Sequence, residues 1–338
     1  DGSLLFLMHL ISKMRAPRDG GSRLAMVLNG SPLFTGGAGS GESNIRRWII
    51  ENDLLDTIVA LPVDMFYNTG ISTYIWILDN HKPSERKNKV QLIDGSSMFG
   101  KMRKSLGSKR KELRPEDITT IAELYVDQTD DPGSVEAPSQ SKVFDGEEFG
   151  YSTITVERPL QLRFELTSHK VDEVLAQKSI EKLKSGELSA VRSALTGLVG
   201  WEWNDRDTFV SELKDALRKA GITKPSSPLV KTLWSAIGEH DDNAVICTDS
   251  KGNPEPDPAL RDTENVPLTE DIEEYFAREV LPHVPDAWID HDKTKIGYEI
   301  PFTRHFYQYT PPRDLAEIKA DLQILVKDIT EMLAEVGE

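Results

Sequence analysis

The chain has 338 residues, a formal net charge of −16, and hydrophobic and charged fractions of 38% and 28%. This length allows two domains with separate cores, and no apolar run reaches the roughly 18 residues of a membrane-spanning helix. The single cysteine, Cys247, excludes a disulfide framework and a cysteine-rich zinc site and favours a reducing cytoplasm, while the acidic balance argues against a protein that binds nucleic acid without partners.

The first part of the chain alternates between helical and strand patterns. Apolar residues at helical spacing predict a helix over 3–15, and the segment 24–29 is typical of a strand buried on both faces. A helix over 43–53 follows, with Ser43 as its predicted N-cap. Because strand, helix, strand is the unit of a parallel doubly wound sheet, we predict an α/β fold.

Three further strands are predicted at 57–61, 72–78 and 89–94. The later strands follow too closely for a helical crossover, so we expect them to pair antiparallel. The strands are too few to complete a sheet of this kind, and the first residue is Asp1 rather than methionine. We therefore expect a piece of a longer chain, with the missing strands before Asp1.

A glycine-rich loop, with glycines at 36, 37, 39 and 41, separates the first predicted strand from its helix. The loop lacks the Lys-Ser/Thr ending of a P-loop, and its glycines do not have the GxGxxG spacing of a dinucleotide site. We therefore predict a flexible connection that borders a substrate cleft without holding the phosphates of a cofactor.

A basic run at 101–114 contains seven basic side chains and one acidic side chain. The pattern after residue 98 is mainly helical, so one interpretation of this run is a solvated helix face. The alternative is a patch that contacts DNA phosphates. Its candidate residues are Lys101, Arg103, Lys104, Lys109, Arg110 and Lys111.

The middle of the chain is predicted to be helical. An acidic stretch at 127–141 that contains proline and serine predicts a linker or mobile loop. The predicted helices after it lie near 170–184, 187–199, 207–220, 228–238 and 269–281. The histidines do not have regular ligand spacing, so the sequence predicts no metal centre.

The last helix has the spacing of a coiled-coil seam over three heptads. The candidate interface residues recur at intervals of three and four: Leu315, Ile318, Leu322, Leu325, Ile329 and Met332. Asp321, Asp328 and Glu335 occupy the g positions, which favours a partner helix with basic residues opposite them. The alternative is that the helix packs on its own domain.

Three long strings carry a family resemblance: GSRLAMVLNGSPLFTGGAGSGESNIRRWIIENDLLDTIVALPVDMFYNTGISTYIWILDN, KVQLIDGSSMFGKMRKSLGSKRKEL and KIGYEIPFTRHFYQYTPPRDLAEIKADLQILVKDI. They resemble the modification (M) subunit of type I restriction–modification systems, and the first string resembles the second half of its methyltransferase domain. The resemblance implies an adenine-specific DNA methyltransferase. Such an enzyme transfers a methyl group from S-adenosylmethionine to the amino group of an adenine flipped out of the duplex.

The family places its cofactor glycine motif and its Asn-Pro-Pro-Phe motif before the helix that opens this sequence. No Asn-Pro-Pro occurs in the 338 residues. An adenine amino nitrogen is a poor nucleophile, and without the oxygen acceptors of that motif it loses its alignment with the methyl group. The resemblance therefore implies that the catalytic residues lie upstream of Asp1, that the parent protein uses S-adenosylmethionine, and that this piece alone binds none and is inactive.

The candidates for the target-base cleft are Phe66, Tyr67, Asn68, Thr69 and Gly70, together with Asn29 at the end of the preceding strand. The two aromatic rings would stack on or wall an extruded base. The polar side chains would hydrogen-bond near it, and the glycine would allow close backbone approach. The alternative is that Phe66 covers the core and that residues 68–70 form a simple turn.

The resemblance implies the C-terminal part of a Rossmann-like S-adenosylmethionine-dependent methyltransferase sheet, then a mainly helical domain and a C-terminal coiled-coil-type helix. The predicted segments are the methyltransferase half at 1–98, a basic helical segment and linker at 99–155, a helical domain at 156–300 and a partner-binding segment at 301–338. The implied partners are the specificity subunit, through it the restriction subunit, and double-stranded DNA, in the cytoplasm. The alternative function is a non-catalytic assembly module that binds the specificity subunit.

Overall fold

The computed structural model describes residues 2–128, 130, 139–307, 309 and 312–336. The chain divides into two compact units, the first formed by residues 1–149 and 298–338 and the second by residues 150–297. These units differ from the four predicted segments because the chain returns to the first unit after residue 297. Residues 129 and 131–138 of the predicted acidic linker lie outside the described residues, so that linker stays a prediction.

The helices are α1 (Gly2–Ile11), α2 (Ser31–Phe34), α3 (Gly41–Glu51), α4 (Pro115–Asp127), α5 (Ser168–Leu175), α6 (Lys178–Glu181), α7 (Ser185–Thr196), α8 (Arg206–Lys219), α9 (Ser227–Ile237), α10 (Ile272–Tyr275), α11 (Phe302–Phe306) and α12 (Leu315–Val336). The strands are β1 (Arg23–Asn29), β2 (Leu55–Leu61), β3 (Thr73–Asp79), β4 (Lys89–Asp94), β5 (Gly100–Leu106), β6 (Lys109–Glu112), β7 (Ser141–Asp145), β8 (Gly150–Glu157), β9 (Leu162–Glu165), β10 (Glu202–Trp203), β11 (Glu239–His240), β12 (Asp262–Pro267) and β13 (Trp288–Tyr298). No helix in the described part of the chain is both long and apolar enough to span a bilayer.

The first unit is built on a five-stranded sheet with the order β1-β3-β2-β4-β7. β3 is antiparallel to both β1 and β2, as the short connections predict. β4 pairs parallel with β2, so the prediction that it pairs antiparallel is wrong for this strand. β2 is buried along its whole length, whereas β1 is largely exposed. The prediction that β1 is buried on both faces is wrong, because β1 lies at the edge of the sheet with only β3 beside it among the described strands.

α3 begins at Gly41, and its N-cap is Ser40 rather than the predicted Ser43. The hydroxyl oxygen of Ser40 accepts a hydrogen bond from the Ser43 amide at 3.2 Å. Ser43 is itself buried, and its hydroxyl oxygen accepts from the Tyr298 amide at 2.9 Å. A serine three residues into the helix therefore ties α3 to the strand end at residue 298, a long-range contact that local capping rules do not reveal.

The basic run forms a β-hairpin, not the predicted helical segment. β5 and β6 pair antiparallel, with Lys101 opposite Lys111 and Leu106 opposite Lys109. Gly107 lies in the turn with a φ of 62°, the left-handed conformation that glycine adopts without a steric cost. The Leu-Gly-Ser sequence at this turn is thus the local signal that ends one strand and begins the next.

The second unit contains a helical core and a separate three-stranded sheet. α5, α7, α8 and α9 bury apolar side chains against β9, where the rings of Phe164 and Phe209 stack with centroids 4.2 Å apart. The sheet has the order β12-β8-β13 and packs with Phe276 and Val280, from the π-helical turn that follows α10. The predicted helices are confirmed between residues 168 and 237. The strands β8, β12 and β13 were not predicted, because helical periodicity does not indicate strands.

His305 provides a pH-dependent contribution to the stability of the first unit. Its ring lies 4.3 Å from that of Phe144, and its Nε2 atom is buried without a hydrogen-bond partner among the described residues. Burial, followed by the positive charges of Lys142 and Arg304, lowers the pKa of His305 from 6.5 to about 4. The unfolded state therefore binds the extra proton first as the pH falls.

We expect the unfolding free energy of the first unit to fall as the pH drops from 6.5 towards 4, and His305→Phe to flatten this dependence. One proton sets an upper limit of about 1.4 kcal/mol per pH unit, and the partial solvent exposure of the ring reduces it. The effect is measured as the urea midpoint of unfolding at several pH values. Pulsed hydrogen exchange of β2 peptides reports the unfolding of the first unit. The exposed His169→Gln serves as the control, and an unchanged slope in His305→Phe would contradict the assignment.

Candidate functional site

One end of the five-stranded sheet brings the predicted cleft residues together. The register places Asn29 of β1 and Leu61 of β2 on either side of Thr73, the first residue of β3. Asp94, the last residue of β4, is paired with Ala60 at the same end. The connection from β2 to β3, residues 62–72, also leaves the sheet here, and we call it the aromatic loop. Asn29 and the aromatic loop therefore share one end of the sheet.

The aromatic loop folds back on itself through its own backbone. Asp64 has a φ of 62°, and its amide donates to the Gly70 carbonyl oxygen at 3.4 Å. Phe66 and Thr69 form an isolated antiparallel bridge, so residues between them form a tight turn. A Cβ atom on Gly70 would lie 2.6 Å from the Asp64 carboxylate, which explains the glycine at this position by contact within the loop.

This turn leaves the two aromatic side chains accessible to solvent. Phe66 is 36% exposed and Tyr67 is 68% exposed. Asn68, between the bridge partners, is exposed as well. An exposed aromatic pair at a strand end is available for stacking on a planar ligand such as a nucleobase.

The β5–β6 hairpin docks on the aromatic loop. The Ser108 amide donates to the Tyr67 carbonyl oxygen at 2.8 Å, and the amides of Arg110 and Lys111 donate to the Asp64 carbonyl oxygen at 3.0 and 3.3 Å. A side chain at Gly107 would collide with the Tyr67 carbonyl oxygen. The structure thus joins the predicted base-cleft residues and the predicted phosphate-contacting residues into one surface.

The glycine-rich loop is held by Arg46, a fully buried residue of α3. Its guanidinium donates to the carbonyl oxygens of Tyr298 at 2.6 Å, Thr35 at 2.8 Å and Gly36 at 2.9 Å. A further hydrogen bond reaches the Pro32 carbonyl oxygen at 3.1 Å. Of these four carbonyls only that of Gly36 belongs to the glycine-rich loop, so Arg46 anchors the beginning of the loop. The flexibility of the loop stays a prediction.

The sequence analysis missed Thr73 and Tyr74, which follow the aromatic loop. The Thr73 hydroxyl is buried without a hydrogen-bond partner among the described residues, and it lies between the ends of β1 and β2. Burial, and then the Asp94 carboxylate, raise the pKa of Tyr74 above its ordinary value of 10. The available signal was the polar Ser-Thr-Tyr start of an otherwise apolar strand.

A cavity of about 360 Å³ lies elsewhere in the first unit, near the beginning of β4. Its lining residues are Ile50, Glu51, Asn88, Asp145, Gly146, Glu147 and Tyr298. None of these is a predicted site residue. The part of the chain that the structure describes contains no group of three or more histidine, cysteine or carboxylate side chains placed to hold a metal ion.

Replacing Arg46 with methionine is expected to lower the unfolding free energy of the first unit by about 3 kcal/mol or more, because four carbonyl oxygens lose a buried charged donor. Arg47→Met on the same helix is the matched control. Arg47 is partly exposed and pairs only with Glu51, so its loss is expected to cost about 0.5 kcal/mol or less. Urea midpoints read by pulsed hydrogen exchange of α3 peptides compare the two, and equal midpoints would contradict the role given to Arg46.

Comparison with known proteins places residues 1–156 in a match to the family model described as N-6 DNA Methylase. The type I restriction enzyme MjaVII methylase subunit of Methanocaldococcus jannaschii is 35% identical over 111 residues, which are 33% of this chain and 18% of that protein. The HindI methylase subunit of Haemophilus influenzae is 37% identical over 93 residues, which are 27% of this chain and 20% of that protein. The matched segment thus spans about a fifth of the length of these relatives.

Two solved structures are less similar to this chain than these two curated relatives are. A type I restriction–modification methyltransferase subunit from Streptococcus thermophilus has 26% identity and a TM-score of 0.37, over 44% of this chain and 28% of that chain. The type I restriction enzyme EcoKI M protein has 16% identity and a TM-score of 0.31, over 68% of this chain and 45% of that chain. The family match and the curated relatives confirm the resemblance found in the sequence.

Proposed function

We propose, from the match of residues 1–156 to the N-6 DNA Methylase family model, that this chain is part of the modification subunit of a type I restriction–modification complex. The complex would transfer a methyl group from S-adenosylmethionine to adenine amino groups in DNA. The observation that carries the proposal is the family match over residues 1–156, which contain all five strands of the sheet β1-β3-β2-β4-β7. We propose that the complex acts on its DNA substrate in the cytoplasm.

The aromatic loop supplies the face of the site that this chain would contribute. An adenine extruded from the duplex needs planar, apolar walls and polar groups at its edge. Phe66 and Tyr67 would provide the walls, and Asn68, Thr69 and Asn29 would provide the polar edge. The shared location of these residues at one sheet end supports this assignment.

We propose that S-adenosylmethionine is bound by other parts of the modification subunit. The glycine-rich loop lacks the glycine spacing of a nucleotide site, and its Gly36 carbonyl oxygen and Ser40 hydroxyl take part in contacts with α3. The open edge of β1, exposed at Val27, supports pairing with further strands of the methyltransferase sheet.

α12 supports a role in assembly. Its seam residues are exposed by 54–65% at Leu315, Leu322, Leu325, Ile329 and Met332, and Ile318 is half-buried. The helix begins at Leu315, and the Asp314 carboxylate accepts a hydrogen bond from the Ala316 amide at 2.6 Å. Asp321 pairs with Arg313 at 2.6 Å, and the side chain of Glu335 lies outside the described residues. We propose that this seam docks on the specificity subunit and, through it, joins the restriction subunit.

Phe66→Ala in the assembled complex is expected to lower DNA methylation roughly tenfold or more, because stacking of a base on an aromatic ring contributes about 1–3 kcal/mol. Transfer of radiolabelled methyl groups to a methylatable duplex measures the rate. As the control, Val126→Ala on α4 removes an apolar side chain that is 71% exposed and lies outside the aromatic loop, and it should leave the rate unchanged. Unchanged methylation in Phe66→Ala, with assembly intact, favours the alternative of an assembly module without pocket residues.

Ile318→Asp or Leu325→Asp is expected to abolish co-purification with the specificity subunit, because a buried carboxylate in a coiled-coil seam has no partner. Ala320→Asp introduces the same charge at an f position, away from the seam, and should leave co-purification intact. Circular dichroism checks that all three variants keep their helix content. Retained co-purification in both seam variants would show that this helix is not the docking element.

A further inference from the structure

The β5–β6 hairpin concentrates positive charge in a chain of the opposite sign. Residues 100–112 contain six basic side chains and one acidic side chain, whereas the whole chain has a net charge of −16. Among the described residues, none of the six basic side chains forms an ion pair. Four of them, Lys101, Arg103, Lys104 and Arg110, are exposed, and the other two are half-buried.

The hairpin register brings like charges together. Lys101 stands directly opposite Lys111, and like charges in such positions destabilise a strand pair. The Lys111 ammonium lies 3.9 Å from the centroid of the Phe99 ring, which places one of these charges on an aromatic face. A polyanion bound across the hairpin would relieve this repulsion, so the arrangement suits a polyanionic ligand better than solvent.

The backbone fixes this charge beside the exposed aromatic pair. The hairpin is anchored by three amide-to-carbonyl hydrogen bonds to Asp64 and Tyr67, and the close approach requires the glycine at 107. Protein surfaces that bind nucleic acids combine cationic side chains with exposed aromatic rings. β5 has seven residues and therefore spans about 20 Å. Duplex DNA presents several phosphates over this distance.

We propose that the β5–β6 hairpin binds the sugar–phosphate backbone of duplex DNA next to the base that the aromatic loop receives. The proposal rests on the proposed function for the choice of DNA as substrate. It goes further in giving the modification chain its own sequence-independent DNA contact. The contact would position the duplex while target recognition stays with the specificity subunit. An acidic protein surface is the competing ligand that the experiment must exclude.

The test compares two matched triple variants of the 338-residue chain. Arg103→Gln, Lys104→Gln and Arg110→Gln remove three exposed hairpin charges. Lys178→Gln, Lys182→Gln and Lys184→Gln remove three exposed charges near α6. All six positions are on the surface, so both variants should keep the urea midpoints of the parent chain. The probe is a labelled duplex of about 30 base pairs, roughly three helical turns, followed by fluorescence anisotropy.

The hairpin variant is expected to bind the duplex roughly tenfold more weakly at about 100 mM salt. The slope of log K against log salt should become shallower by about 2–3, since each lost phosphate contact removes about 0.9. The α6 variant should match the parent chain in both quantities. Equal affinity and slope in the two variants would overturn the proposal. Displacement of the duplex by polyglutamate at equal charge concentration would also overturn it, in favour of an acidic protein partner.

The methylation assay separates this proposal from the proposed function. In the assembled complex, the hairpin variant is expected to raise the KM for DNA while kcat at saturating DNA stays near the parent value. Absence of methylation in the parent complex counts against the proposed function alone, because duplex binding by the chain does not require the reaction. A parent complex that methylates DNA, combined with an unchanged KM in the hairpin variant, counts against the hairpin proposal alone.

Discussion

β3 carries a strand on each side along its length, with β1 paired from Asp79 to Thr73 and β2 paired from Leu78 to Thr73. β3 thus lies between β1 and β2, which are parallel to each other. The last residues of both strands, Asn29 and Leu61, pair with Thr73, the first residue of β3. Fully buried Trp76 and Leu78 hold the inserted strand in the core. Asn29, the aromatic loop and Thr73 meet only because of this insertion, and the candidate site depends on it.

A second constraint fixes the neighbouring loops without using apolar contacts. The fully buried guanidinium of Arg46 donates hydrogen bonds to carbonyl oxygens of the α2 segment and of residue 298. The Ser43 hydroxyl oxygen accepts a hydrogen bond from the Tyr298 amide. Buried charge is costly unless donors and acceptors match, and here the carbonyl acceptors meet that requirement. These hydrogen bonds anchor α2 and the beginning of the glycine-rich loop, directly after the end of β1.

The β5–β6 hairpin is a basic element in a chain whose net charge is −16. The hairpin gathers cations that have no ion pairs among the described residues and attaches them to the loop that carries Phe66 and Tyr67. In the proposed function, the hairpin gives an acidic chain a surface for DNA, since an acidic surface repels DNA at long range. The exposed seam of α12 is the surface proposed for the recognition partner.

Local sequence determined the elements whose signals are local. The apolar runs at 57–61 and 89–94 predicted strands, and the spacing of apolar residues near the end of the chain predicted a helix. The structure contains all three elements, because such patterns act over a few positions. Tertiary structure decided the strand order, the edge position of β1, the buried partners of Arg46 and Ser43, and the hairpin in place of a basic helix. Pairing between distant strands determines these features, since a hydrogen bond such as that from the Tyr298 amide to the Ser43 hydroxyl oxygen joins residues far apart in sequence.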